Sequence, residues 1–213
     1  MAIPKIASYD LPPVGSWPVA RAPWSLDPSR AALLIHDMQT YFLRAYDPST
    51  APLRPAIEGI RTIREACRAA GVPVLFSAQP GEQSRDERGL LWDMWGPGIV
   101  EHPELQRVVE GLEPSEGDIM LPKRRYSAFH GTDLRERLIE MGRDQLIISG
   151  VYAHIGCLTT AVDGFMQGVK PFLVADAVAD FSRADHEVAL RQVARTCGVV
   201  TTVAEVVAAV SVP

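Results

Sequence analysis

Gln145-Leu-Ile-Ile-Ser-Gly150 carries no charge and is followed, after Val151-Tyr-Ala-His-Ile-Gly156, by Cys157-Leu-Thr-Thr-Ala-Val-Asp-Gly-Phe-Met-Gln-Gly168. The first block has the length and apolarity of a buried strand, and the last has helical spacing. The loop between them opens at a helix N-terminus, where unpaired backbone N–H groups favour an anion. The same alternation recurs on either side. Ala31–His36, Val72–Ser77, Asp118–Leu121, Pro171–Ala175 and Val199–Val203 are short and strand-like. Pro55–Ala70, Glu104–Leu112, Asp133–Met141 and Arg183–Thr196 space their apolar residues as helices do. Gly71 follows the first of these helices as a left-handed cap would. Strands and helices in alternation, with continuously apolar strands, predict a parallel sheet covered on both faces. The expected fold is α/β, with three α/β/α layers and a mainly parallel, Rossmann-like six-stranded sheet. Ligands in such folds sit at the carboxyl ends of the strands.

Residues 1–30 are rich in proline and read as an extended arm that needs a surface, its own domain or a neighbouring subunit. Residues 31–213 read as one domain, with no internal linker, repeat or low-complexity segment. The net charge of −5 argues against nucleic acid or an anionic membrane as partner, so an anionic substrate must meet locally placed cations. No apolar run reaches the length of a membrane span, and Met1-Ala-Ile-Pro-Lys5 lacks the apolar core of a signal peptide. Three widely spaced cysteines, Cys67, Cys157 and Cys197, suggest reduced thiols and a cytoplasmic protein.

Two charged residues stand at strand exits. Asp37 ends the first strand in Leu33-Leu-Ile-His-Asp-Met-Gln39, from where a carboxylate projects into the ligand crevice; the lesser alternative for this fragment alone is a helix N-cap. Lys123, in Lys123-Arg-Arg-Tyr-Ser-Ala-Phe129, follows the third strand and alone reads as a surface lysine. With the glycine loop after the fourth strand, three chemically suggestive positions fall at three strand ends.

The stretch Ser149–Ala161 resembles the nucleophile loop of the isochorismatase-like hydrolases, whose amidase members use an Asp–Lys–Cys triad. Aligned on Gly150 and Thr160-Ala161, the cysteine's position falls on Gly156, and Cys157 is one residue late. One residue on a helix turns a side chain by about 100°, so Cys157 is expected to face away from the pocket. The resemblance extends over nearly the whole chain: His36–Gln39, Ala78–Pro80, Trp92–Gly98, Arg125–Phe129, Gly150–Cys157, Lys170–Ser182 and the Ala2–Lys5 opening. It is to the isochorismatases proper, of the siderophore and phenazine pathways. These cleave the enolpyruvyl ether of isochorismate, or of its 2-amino analogue, to pyruvate and a dihydroaromatic acid. Arg124 stands where those enzymes usually have tryptophan, and no aryl carrier domain, as fused to some relatives, is expected here.

A vinyl ether is hydrolysed by protonating its methylene carbon, after which water captures the oxocarbenium ion. The chemistry needs a general acid and no thiol. Gly156 in place of cysteine would leave space and backbone N–H groups for the substrate, and the resemblance also implies Asp37 as the acid. A free aspartate costs roughly 4 kcal/mol to hold protonated at pH 7, and a lysine beside it adds to that cost. A dicarboxylate substrate that displaces water works the other way, so Asp37 is expected to take up its proton on substrate binding. Lys123 would anchor a substrate carboxylate and position Asp37. Gln79, at the end of the second strand, and Arg88 are the further carboxylate ligands, with Arg85 the weaker alternative. Phe42, Trp95 and Tyr152 would wall the pocket, and Tyr126 either hydrogen-bonds substrate or caps a loop.

Alternation along the first strand points His36 to the opposite side from Asp37. His154, in the glycine loop, either lines the pocket or makes a structural hydrogen bond. The metal-using nicotinamidases carry a histidine-rich stretch after the second strand; Ser77–Arg88 has none, so no metal is expected. No glycine-rich fingerprint follows the first strand, so no nucleotide cofactor is implied. The leading reading is an isochorismate pyruvate-hydrolase acting without cofactor, as a homodimer if the arm makes a dimer contact. The alternatives are the same reaction on 2-amino-2-deoxyisochorismate, an amidase using Cys157, and a catalytically silent scaffold.

Overall fold

The computed structural model describes residues 3–211; the first two residues of the arm and the last two of the chain lie outside it. The strands are β1 Ala31–His36, β2 Val74–Ala78, β3 Ile119–Pro122, β4 Gln145–Val151, β5 Lys170–Ala179 and β6 Val199–Thr201. The helices are α1 Thr40–Leu43, α2 Leu53–Ala69, α3 Arg85–Arg88, α4 Leu91–Trp95, α5 Leu134–Glu140, α6 Leu158–Met166, α7 Arg183–Thr196 and α8 Val203–Val210. The strands form one sheet in the order β3-β2-β1-β4-β5-β6. All five pairings are parallel.

Side-chain alternation sorts the sheet into two cores. Leu33, Ile35, Phe76, Ile147 and Val174 pack with α2 and α8 on one face. Leu34, Leu75, Leu121, Ile148 and Leu173 pack with α5, α6 and α7 on the other. The result is the expected three-layer α/β fold. The strand order reverses direction at β1 and β4, whose carboxyl ends therefore part and leave a crevice. Gly150 lets the two strands close up there: at φ +109° it lies opposite His36, and a Cβ would collide with the His36 carbonyl oxygen.

Several segments differ from the sequence reading, and the helix α8 was not read from it at all. Glu104–Leu112 is not a helix beyond the 3₁₀ turn Pro103–Leu105. Its backbone is captured by β1's exit instead: Gln39 Nε2 donates to Gln106 O, Thr40 N to Arg107 O, and Val109 N to Met38 O. Tertiary hydrogen bonds override a helical apolar pattern there. β6 stops at Thr201 because Thr202 and Glu205 form a capping box that starts α8. β5 runs on to Ala179 past an irregularity in its pairing with β4. Gly71 does close α2 with a left-handed φ of +68°.

The arm, described from Ile3, has no helix or strand and lies on its own domain. Ile6 is buried and its N–H donates to Ala45 O. The Tyr9 hydroxyl accepts from Asp180 N and meets His186 Nδ1, while Arg21 N donates to Ala194 O. Among the described residues no helix is long and apolar enough to cross a membrane.

Candidate active site

Each site residue leaves the sheet at a carboxyl end. β1 stops at His36 because Asp37 turns into the left-handed region, φ 50°, unusual for a residue other than glycine. That turn breaks the strand's alternation, so the expectation that His36 points away from the Asp37 carboxylate is wrong. His36 Nδ1 lies 3.7 Å from Asp37 Oδ2. Asp37 Oδ1 accepts from Ser77 Oγ on β2 at 2.7 Å. Its Oδ2 pairs with Lys123 Nζ, just beyond β3, also at 2.7 Å. Lys123 donates further to Arg125 O at 2.7 Å. Both partners are buried, 6% exposed for Asp37 and 4% for Lys123, so water competes little with the pair.

A cavity of about 590 Å³, partly open to solvent, lies over this pair. Asp37, Lys123, Gly156, Phe42, Gln79, Arg88, Trp95, Tyr126 and Tyr152 all line it. Arg88, on α3, is 3% exposed. Its Nε donates to Gly96 O, but its buried Nη1 has no hydrogen-bond partner, and among the described residues it has no carboxylate partner. Gln79 presents a buried Oε1 with no partner. Its backbone is fixed by the Gln39 side chain, which accepts from Gln79 N at 2.7 Å and donates to Gln79 O at 2.9 Å. Trp95 Nε1 donates to the Tyr126 hydroxyl, whose own proton is then available to a ligand. The Tyr152 hydroxyl donates to Phe42 O, fixing both aromatic walls.

The glycine loop is a π-type turn over Ala153–Cys157 that runs into α6. An anion does sit at its start, and it is the protein's own. The fully buried Asp180 carboxylate accepts from the His154 and Phe181 backbone N–H groups and pairs with His154 Nδ1 at 2.6 Å. His154 is thereby structural and does not line the cavity; the Asp180 carboxylate holds its imidazole above the usual range. Cys157 is fully buried in the α5–α7 core, away from the cavity, and burial pushes its thiol well above the usual thiol range. Gly156 borders the cavity, yet the room a side chain would need there is not open to substrate. A Cβ on it would run into His36 Cε1 and stand 3.0 Å from both ring nitrogens. The expectation that the missing side chain leaves substrate space is therefore corrected: His36 fills that space from behind.

Sequence reading missed Tyr41, Ile155, Phe181 and Arg125, as well as Ile3 from the arm, all of which line the cavity. Ile3, Arg125, Ile155 and Phe181 stand within recognised stretches, whereas Tyr41 stands outside them. Arg85 is not in the cavity; it pairs with Asp93 and stacks over Trp92. Arg124 does not line it either. Among the described residues no three His, Cys, Asp or Glu side chains are grouped as a metal ion would require.

Residues 31–205 match the family model described as Isochorismatase domain. The chain is 50% identical over 198 residues to enterobactin synthase component B of Escherichia coli, covering 93% of this chain and 70% of that protein. It is 48% identical over 206 residues to the phenazine biosynthesis protein PhzD of Pseudomonas fluorescens, covering 96% and 98%. A cysteine hydrolase from Pseudomonas syringae pv. phaseolicola superposes with a TM-score of 0.80 at 30% identity, over 92% of this chain and 98% of that one. A parallel sheet in this strand order, a cavity at its switch point and these matches agree: the chain belongs to the isochorismatase family, and it is an isochorismatase-type hydrolase.

Proposed function

We propose that the protein hydrolyses the enolpyruvyl vinyl ether of isochorismate, giving pyruvate and 2,3-dihydroxy-2,3-dihydrobenzoate. The charge of the cavity carries this reading. Arg88, Lys123 and Arg125 line it against the single carboxylate Asp37. With Asp37 and Lys123 paired to each other, two arginines face the space, and isochorismate brings two carboxylates. The buried, unpartnered Nη1 of Arg88 is costly in an empty site, and a bidentate carboxylate satisfies it.

Asp37 is the proton donor. Its carboxyl proton passes to the methylene carbon, the double-bond electrons form the new C–H bond, and the ether oxygen shares the positive charge. Water then adds to the oxocarbenium carbon and returns a proton to Asp37. The hemiketal collapses to pyruvate and the ring alcohol. Ser77 and Lys123 orient the carboxyl. The substrate's negative charge and the expulsion of water favour its protonated form once substrate is bound. Lys123 stabilises the carboxylate that remains after proton transfer. Phe42, Trp95 and Tyr152 exclude bulk water, while Gln79 Oε1 and the Tyr126 hydroxyl are an acceptor and a donor for the ring substituents. No thioester is needed, consistent with a buried Cys157.

The same reaction on 2-amino-2-deoxyisochorismate is the second reading. It is favoured by the phenazine relative together with Gln79 Oε1, an acceptor suited to an amine as well as to a hydroxyl. Pyruvate release, coupled to lactate dehydrogenase, is measured on both substrates. A kcat/KM for isochorismate at least tenfold above that for the amine supports the first reading, and the reverse order supports the second. No release from either contradicts both.

A further inference from the structure

His36 is a fully buried imidazole whose polar atoms are all engaged in one direction. Nδ1 lies 3.0 Å from Val151 O, which only accepts, so the proton is on Nδ1. Nε2 is then the acceptor for the Thr160 hydroxyl at 3.3 Å, and Thr160 Oγ1 accepts in turn from Ala128 N at 2.9 Å. Burial pushes the ring's pKa down to about 4, so it is neutral and this polarity persists at pH 7. The ring thus ties the exit of β1 to the exit of β4, to α6 and to the loop after β3. Its Cε1 edge faces Gly156 so closely that no Cβ fits between them. Its Nδ1 edge stands behind the Asp37 carboxylate.

We propose that His36 is a positioning residue that works through Gly156 and Asp37. The imidazole fixes the height of the glycine loop under the cavity and bars every side chain, nucleophiles included, from position 156. The choice between a side chain and bare backbone at 156 is then set by the 36/156 pair and not by the glycine alone. A smaller residue at 36 would open position 156 to a methyl or a thiol. This rests on the reading of the cavity as the reaction site, but its first test needs no substrate.

That test is a thermal double-mutant cycle of Gly156→Ala, His36→Ala and the double variant. Gly156→Ala alone overpacks the His36 ring and lowers Tm by about 5 °C or more in a domain of this size. In the His36→Ala background the same methyl costs less than about 2 °C. If Gly156→Ala fails to fold while the double variant folds, the rescue supports the pair equally. The second readout is kinetic, with His36→Asn, whose side-chain N–H can still donate to Val151 O. The variant lowers kcat about tenfold or more and leaves KM within about twofold, because the carboxylate anchor Arg88 lies elsewhere. An equal loss of Tm in both backgrounds, or no rescue of a misfolded Gly156→Ala, overturns the proposal. So does an unchanged kcat. If wild type releases no pyruvate, the functional reading fails, and the thermal cycle still decides the pair.

Discussion

Lys123 Nζ and Asp37 Oδ2 meet at 2.7 Å with both side chains buried, so the proposed proton donor sits in an ion pair before substrate arrives. An ion pair stabilises a carboxylate, whereas catalysis requires the acid. The two requirements are reconciled if proton uptake accompanies substrate binding. In that case the pH limb governed by the catalytic acid lies at a higher pH in kcat than in kcat/KM. Full pH–rate profiles check this, and coincident limbs contradict it.

Arg88 supplies a different test, because in the proposed function it holds substrate without taking part in proton transfer. Arg88→Lys keeps a charge but loses the fork and the Nε bond to Gly96 O. One charge-assisted hydrogen bond is worth roughly 1.5–3 kcal/mol, so KM should rise about ten- to a hundredfold with kcat within a few-fold. A KM within twofold of wild type would remove Arg88 from the substrate site.

Cys157 separates vinyl-ether hydrolysis from amide hydrolysis. Cys157→Ala is expected to retain at least about half of wild-type kcat and to lose roughly 1 kcal/mol of stability from the small cavity it leaves. Complete loss of turnover in a folded Cys157→Ala variant would restore the thiol mechanism.

His36 also predicts a pH dependence of stability. Its folded pKa, about 4, lies below that of an unfolded histidine, about 6.5. Between those values the unfolded chain binds a proton that the native state does not, so stability is fully present above about pH 6.5 and is lost as pH falls toward 4. The contribution is on the order of 3 kcal/mol. His186, also buried with a lowered pKa, acts in the same direction, whereas His154, raised by Asp180, acts in the opposite one. Comparing Tm at pH 7 and pH 5 for wild type and His36→Asn isolates the His36 part: the variant should lose less on acidification. An identical loss in both proteins contradicts it.

The strand–helix alternation was legible because its apolar periods are long, and β1 and α7 were placed residue for residue. The short helices α1, α3 and α4 have four or five residues each, too few to show a period. Asp37 and Lys123 could be read because strand ends face the crevice whatever the details of packing. The placement of His36 beside the Asp37 carboxylate could not be read, because alternation assumes an extended backbone and Asp37 leaves it at φ 50°. Asp180 at the start of the π turn and Ile3 in the cavity wall depend on contacts across 26 or more residues, which no local pattern encodes. Gly156 was legible as a position, but its reason lay in a ring 120 residues earlier in the chain.

The most direct test of Asp37 as the proton donor is pyruvate release from isochorismate by wild type and by Asp37→Asn, which keeps the shape but has no carboxyl proton to give. Rapid release by wild type that falls by about 10³-fold or more in a folded Asp37→Asn variant is the result predicted. An Asp37→Asn enzyme within about tenfold of wild type would contradict it and place the proton donor elsewhere in the cavity.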